Sequence, residues 1–309
     1  MPLLMVACHE ESHPLTPEED VAISMTASST EMDASRAIVT DNATLQSTAI
    51  GVYAYKELAN GTQTLVFDNT QLTYDANKGW DYSPTKYWDR TADYSFVAFS
   101  PYTATHSYEN HTLTISNIPY WQVIDDNEVD YIVANSHGSA ESYLSTDSKS
   151  VPLAFSHILS QLVINIKKDE KLSQTYLLKK VEYLNVPQGD AQATYALPLD
   201  PSDEDGGMSD VTLLDNNVTL TRFNNDAGKE ITTGNITLSH LVVPFTLADS
   251  KQIQVKVTYT VEGTERSKTV DTGVTALSAG NRHELNLTFK GAEIVPTLYK
   301  HSLLTLILR

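Results

Sequence analysis

The sequence predicts an all-β protein made of two domains. Short segments alternate apolar with polar residues, they are rich in β-branched and aromatic side chains, and clusters of Gly, Asn, Asp and Pro separate them. The chain has 309 residues, of which 41% are hydrophobic, so it is long enough to bury two cores.

The first half of the chain carries five alternating segments. They are residues 50–55, 64–67, 93–99, 112–115 and 131–134. Asn60-Gly61 is a typical hairpin turn between the first two segments. Residues 135–142 are rich in Ser and have no apolar period, so we expect them to belong to a linker that ends near Ser150.

The second half resumes the same pattern. Its segments are residues 162–167, 180–186, 236–238, 253–259 and 283–289. We expect the first two of these to form an antiparallel pair, and Glu262-Gly263 to form a hairpin turn after the fourth. A second β-sandwich is therefore predicted.

Charge and motifs exclude several function classes. The formal charge of -18 and the pI near 4.7 argue against a nucleic-acid partner, because polyphosphate binding requires a basic surface. No G-x-S-x-G elbow and no P-loop occurs, so we expect neither an enzyme nor a cofactor. Scattered acidic residues could hide a glycosidase pair, but their spacing singles none out.

Two segments resemble metal-binding motifs, but their sequence contexts do not suit metal binding. Residues 9–13 read H-E-x-x-H, but Pro14 disfavours a helical conformation at His13. Residues 200–207 are acidic but lack the EF-hand spacing, so a solvated loop is the better interpretation. We predict no metal site.

Cys8 is the chain's single cysteine, which excludes an intrachain disulfide and a Cys-based zinc site. It follows the apolar residues 3–7 and precedes a polar leader, the arrangement at which bacterial lipoproteins are cleaved and acylated. The apolar stretch is shorter than the roughly 7–15 residues of a signal peptide core, and no Lys or Arg precedes it. Either the true start lies upstream, or Cys8 is not lipidated.

Residues 151–162 (V-P-L-A-F-S-H-I-L-S-Q-L) resemble the L-x-F-x-H-x-L-S-x-L signature of the fimbrillin family, the FimA-like and Mfa-like type V pilins of Bacteroidales-type bacteria. Tyr53-Ala54-Tyr55 and residues 277–285 add two similar motifs, although His283 stands where relatives carry Tyr. The resemblance runs from Cys8 to about Phe289.

The resemblance implies two tandem Greek-key, transthyretin-like β-sandwich domains with an N-terminal leader strand and a C-terminal tail. The implied divisions are a leader and removable first strand at 1–36, an N-terminal domain at 37–147, a C-terminal domain at 148–292 and a tail at 293–309. Its members are structural subunits of the shaft or the tip of a fimbria that support cell adhesion, and they are exported to the cell surface as outer-membrane lipoprotein precursors.

The resemblance further implies assembly with other pilin subunits by donor-strand exchange. Val21, Ile23 and Met25 alternate with polar residues and would fill a groove of the first domain. Arg36 is the first basic residue, so cleavage between Arg36 and Ala37 would release that strand. A strand from the next subunit would then take its place.

The C-terminal tail is the expected donor strand. Pro296 would interrupt continuous pairing, so the donor part is placed after it. The alternatives are a last strand buried on both faces or an altered C-terminus. The residues expected to enter the neighbouring groove are Leu303, Leu304, Leu306 and Ile307.

An alternative function is a surface lipoprotein that binds glycans or a host protein without polymerising. Trp80, Trp88 and Trp121 lie in polar, turn-rich contexts and could stack on sugars, although a position at the edge of the core is commoner for such residues. His157 could act as a base or a metal ligand. A packed histidine bonded to neighbouring backbone is the favoured interpretation.

Overall fold

The computed structural model describes residues 20–29, 42–123, 128–200, 206–215, 218–248 and 251–301. Strands are by far the commonest secondary structure among these residues, and their two helices, α1 (Asn42–Gln46) and α2 (Ala140–Leu144), have five residues each. The predicted all-β class is confirmed.

The largest sheet has seven strands in the order β1-β10-β9-β5-β2-β3-β4. They are β1 (Ser24–Ser29), β10 (Ser150–His157), β9 (Ile132–Ser139), β5 (Ala92–Ser100), β2 (Ile50–Leu58), β3 (Gln63–Asp75) and β4 (Gly79–Asp81). The predicted Asn60-Gly61 turn is confirmed, since β2 and β3 pair antiparallel on either side of it.

Strand β5, in the middle of this sheet, has buried side chains on both faces. Because successive side chains point to opposite faces, Tyr94 and Phe96 enter one core cluster, while Val97 and Phe99 enter another. The first cluster, which we call the inner core, also contains Ile23 and Met25.

Two further sheets pack against each other as a sandwich. One sheet contains β22 (Glu293–His301), β21 (Arg282–Lys290), β11 (Ser160–Lys168), β16 (Ile236–Val242) and β8 (Trp121–Val123) in that order. The other contains β15 (Leu220–Ile231), β12 (Tyr176–Leu184), β18 (Gln254–Val261) and β19 (Thr264–Asp271). Ile164 and Leu285 of the first and Val181 and Val257 of the second belong to one buried cluster.

Two smaller sheets complete the fold. One has the order β14 (Gly207–Met208), β13 (Gln192–Pro198), β7 (Thr112–Pro119) and β6 (His106–Glu109). The other pairs β17 (Phe245–Thr246) with β20 (Ala276–Leu277). Because β7 pairs with β13 and β8 pairs with β16, the two halves of the chain are joined by backbone hydrogen bonds.

The predicted linker is wrong. Residues 135–144 lie in β9 and α2, and β10 still belongs to the seven-stranded sheet. The chain moves to the next sheet between β10 and β11, about ten residues after the predicted boundary at 147. Pairing with β5 explains why this polar segment is a strand, since His137 lies opposite Ser95. The division into two domains stays a prediction.

Two further expectations concern pairing in the second half. The predicted β11–β12 pair is wrong, because β11 pairs with β16 and β21, whereas β12 pairs with β15 and β18. The Glu262-Gly263 hairpin is confirmed between β18 and β19, with positive φ angles of 52° and 77°. Positive φ at both central residues is the requirement of a type I′ turn.

The start of the predicted tail is part of the sandwich. Residues 293–301 form β22, which pairs with β21 without a break at Pro296. An edge strand tolerates proline because its missing N–H can face away from the neighbouring strand. Most of β22 is exposed, so it is not the strand buried on both faces that we considered.

One buried carboxylate stabilises β12. Glu182 is 4% exposed and accepts hydrogen bonds from Lys180 (2.7 Å) and Thr219 (2.8 Å), and Lys256 lies 3.3 Å away. Burial alone would raise the pKa of Glu182, but hydrogen bonds from these three residues lower it below its ordinary value of 4.5.

Candidate functional site

The candidate site is the segment of residues 21–29, which we call the seam segment. Its burial alternates: Ile23 and Met25 are only 2% and 4% exposed, whereas Ser24 and Thr26 face solvent. Val21 is half-buried against the same inner core. The side chains singled out from the sequence therefore share one face, as a period of two requires.

One side of the seam segment pairs with β10. The two strands run parallel, with a register from Ser24 opposite Ser150 to Ser29 opposite Phe155. Ser24 also donates a side-chain hydrogen bond to the Lys149 carbonyl at 3.1 Å. The pairing makes β1 the last strand of the seven-stranded sheet.

The other side of the seam segment contacts the chain that follows β4. The amide of Ile23 donates to the Lys86 carbonyl at 2.8 Å, and the amide of Trp88 donates to the Val21 carbonyl at 3.0 Å. The Tyr82 hydroxyl donates to the Ile23 carbonyl at 2.6 Å. The seam segment therefore lies between β10 and the chain that follows β4, the strand at the opposite end of the same sheet.

This geometry defines what loss of the seam segment would do. It would leave two staggered edges unpaired: β10, which pairs with residues 24–29, and residues 86–88, which bond to Val21 and Ile23. Between those edges it would uncover the inner-core side chains against which Ile23 and Met25 pack. The result would be a strand-shaped apolar groove with unpaired donors and acceptors on both sides.

The proposed cleavage point belongs to residues 30–41, which lie outside the described residues, as do Arg36 and Ala37. The flanking residues meet, since the Ser29 amide donates to Asn42 Oδ1 at 3.0 Å. The described residues on either side of this segment are therefore in contact.

Other predicted sites also lie outside the described residues. They are Cys8, the H-E-x-x-H pattern at 9–13, most of the acidic loop at 201–205, and the proposed donor residues Leu303, Leu304, Leu306 and Ile307. In the part of the chain that is described, no cluster of three or more His, Cys, Asp or Glu side chains is arranged to hold a metal ion. None of the described helices is long and apolar enough to cross a membrane.

His157 is packed, although its partner differs from the one we expected. Its Nδ1 lies 2.9 Å from Asp130 Oδ2, and both side chains are fully buried. The neighbouring Ile158 amide donates to the Tyr131 carbonyl at 3.1 Å. The pair ties the end of β10 to the chain before β9, which is a structural role.

Two other histidines are buried in the second sandwich. Burial, reinforced by Arg222, lowers the pKa of His240 to about 3. Burial and the Lys300 ammonium lower the pKa of His283 to about 4. Both rings are therefore neutral at physiological pH, and His283 packs as an uncharged ring in β21.

Two of the three tryptophans are unavailable for stacking on a sugar. Trp88 and Trp121 are 7% and 6% exposed, and Trp121 Nε1 donates to the Pro187 carbonyl at 3.0 Å. Trp80 is half-buried, with its ring centroid 5.6 Å from that of Tyr74. The glycan-stacking interpretation is wrong for Trp88 and Trp121, because both are buried, and their local sequence contexts do not distinguish them from Trp80.

Known structures share this fold. A fimbrial protein from Bacteroides vulgatus is 15% identical with a TM-score of 0.53, over 92% of this chain and 99% of that one. A protein described as a candidate cell adhesion protein from Bacteroides ovatus is 13% identical with a TM-score of 0.54, over 93% and 99%. Another of that description, from Bacteroides uniformis, is 19% identical with a TM-score of 0.51, over 92% and 99%.

At these identities the likeness is evidence for the fold alone. A comparison with curated protein sequences finds no match. A family model described as fimbrillin-like matches residues 35–299, which is most of the sequence. The chain therefore belongs to the fimbrillin-like family.

Proposed function

We propose that this chain is a structural subunit of a type V fimbria on the cell surface. In this proposal the precursor is anchored in the outer membrane by a lipid on Cys8 and is cleaved between Arg36 and Ala37. The subunits then polymerise by donor-strand exchange and support cell adhesion. Family membership supports the fimbrial role, and it makes a structural protein the expected class.

The observation that carries the proposal is the position of the seam segment. It forms the edge strand of the seven-stranded sheet beside β10, and it places Ile23 and Met25 in the inner core. A segment bonded along both sides satisfies edges that would otherwise pair with another chain. The precursor therefore stays monomeric while the seam segment is in place.

The cleavage point suits release. A cut between Ser29 and Asn42 falls within none of the described strands, and it separates the seam segment from the rest of the chain. Only noncovalent contacts then retain residues 1–36. A strand of the next subunit, taken from residues 302–309 in this proposal, would bind the vacated groove by β-augmentation. Such a head-to-tail contact extends a filament.

The test is controlled cleavage with an arginine-specific protease. The proposal predicts loss of residues 1–36, followed by ladders that resist SDS without heating. Arg36→Ala should block both, whereas Arg266→Ala, at an exposed position of β19, should block neither. Unchanged assembly of Arg36→Ala would rule out this cleavage point. A surface protein that binds glycans without polymerising would give no ladder.

The anchor is tested separately by metabolic labelling with a fatty acid. The label should disappear in Cys8→Ser and remain in the unchanged protein. Persistent labelling of Cys8→Ser would show that Cys8 is not the acylated residue.

A further inference from the structure

A polar cavity of about 850 Å³ lies between β3 and residues 82–86. Its volume is in the range of small-molecule sites, roughly 300–1,000 Å³. The seam segment does not line it. The shape of its two walls, the side chains that line it and its charge together indicate what it binds.

The first wall is an unpaired, irregular stretch of β3. Only Thr73, Tyr74 and Asp75 pair with β4, and from Leu65 to Gln71 no described strand lies on that side. The pairing with β2 shifts register twice along this stretch, and Asn69 has a φ of 42°. Bulges interrupt the regular backbone ladder and redirect side chains, so this edge is a poor template for another strand.

The opposite wall is held in place. The ring of Tyr82 packs edge-on against Phe67, with centroids 5.1 Å apart, while its hydroxyl bonds to the Ile23 carbonyl. The Lys86 carbonyl accepts from the Ile23 amide. These contacts hold residues 82–86 between β3 and the seam segment, so the wall of the cavity is fixed by the fold.

The lining is rich in groups that bond to hydroxyls. Several polar side chains of the lining make no hydrogen bond to another described side chain. They carry hydroxyl, carboxamide or carboxylate groups, and they are Asp68, Thr70, Gln71, Thr73 and Ser83. Leu65, which is 38% exposed, and Pro84 add apolar surface to the same cavity. A saccharide site needs polar groups and apolar surface, because the hydroxyls of a saccharide donate and accept hydrogen bonds while its C–H faces are apolar.

Charge narrows the ligand class. Asp68 and Asp81 line the cavity with one cation, Lys86. An anionic ligand such as a phosphate or a sialic acid would meet net repulsion there. A neutral saccharide would not.

We propose that this cavity is a binding site for a neutral carbohydrate, with Asp68 and Gln71 bonding to its hydroxyl groups. The site is formed while the seam segment is in place, since Ile23 bonds to both Tyr82 and Lys86 of the opposite wall. It would give the subunit a carbohydrate-binding surface as well as a structural role.

Saturation-transfer NMR on the whole chain tests this. The probes are the methyl glycosides of glucose, galactose, mannose and N-acetylglucosamine, with N-acetylneuraminic acid as the anionic control. At least one neutral glycoside should show transfer. Asp68→Ala should weaken its binding about tenfold or more, because a hydrogen bond to a charged group is lost.

Glu265→Ala, at an exposed position of β19, is the matched control and should bind like the unchanged protein. Equal unfolding temperatures would show that Asp68→Ala remains folded. Absence of transfer from every neutral probe, or equal affinity in Asp68→Ala, would overturn the proposal. So would an extended peptide that perturbs the β3 amides when no saccharide binds, since the cavity would then be a site of strand addition.

Discussion

Truncating Ile23, which lies in the seam segment, should lower the free energy of unfolding as much as truncating a residue in the middle of a core. Ile23→Ala removes three buried carbons from a side chain that is 2% exposed. At about 0.8 kcal/mol for each carbon, with a further cost for the cavity that remains, the free energy of unfolding should fall by about 3 kcal/mol. Ser28→Ala, on the exposed face of β1, should change it by less than about 0.5 kcal/mol.

Chemical denaturation measures the global loss, and hydrogen exchange shows where it acts. If the seam segment opens locally, 3 kcal/mol corresponds to exchange of the β10 amides about a hundredfold faster, with little change in β18. A loss below about 1 kcal/mol, or equal effects of Ile23→Ala and Ser28→Ala, would show that the seam segment is not part of the inner core.

Three further predictions concern single side chains. Tyr82→Phe removes the hydroxyl that bonds to the seam segment and should speed local exchange there, at a cost of about 1 kcal/mol. Gly51→Ala should cost about 1–3 kcal/mol by denaturation because its Cβ would overlap the Phe99 ring, whereas Gly234→Ala, which meets no such overlap, should cost less. Glu182 has a lowered pKa, so the stability it contributes is present above pH 4.5 and is lost as the pH falls through its folded pKa. From about pH 6 to about pH 3, Glu182→Gln should therefore lose less stability than the unchanged protein, and identical pH profiles would contradict this.

Local sequence patterns predicted those features of the fold that residues close together in the sequence determine. The alternation of Val21, Ile23 and Met25 indicated one buried face, and Glu262-Gly263 indicated a hairpin turn. In each case the side chains that decide the structure lie within a few residues of one another.

Long-range pairing was beyond such patterns. Residues 135–139 are polar, and they form a strand because β5 lies beside them, with His137 opposite Ser95. The parallel pairing of β1 with β10 joins positions separated by more than a hundred residues. The cavity beside β3 depends on bulges and on the path of residues 82–86, which no alternation of residues encodes.

The most direct test of strand replacement is a reversible lock on the seam segment. Ser28 and Ala154 are exposed partners in the β1–β10 register, so Ser28→Cys with Ala154→Cys, in a Cys8→Ser background, should form a disulfide. After cleavage at Arg36, the oxidised protein should stay monomeric, and a reductant should restore ladders that resist SDS. Equal ladders from the oxidised and the reduced protein would contradict the claim that the seam segment must leave before subunits join.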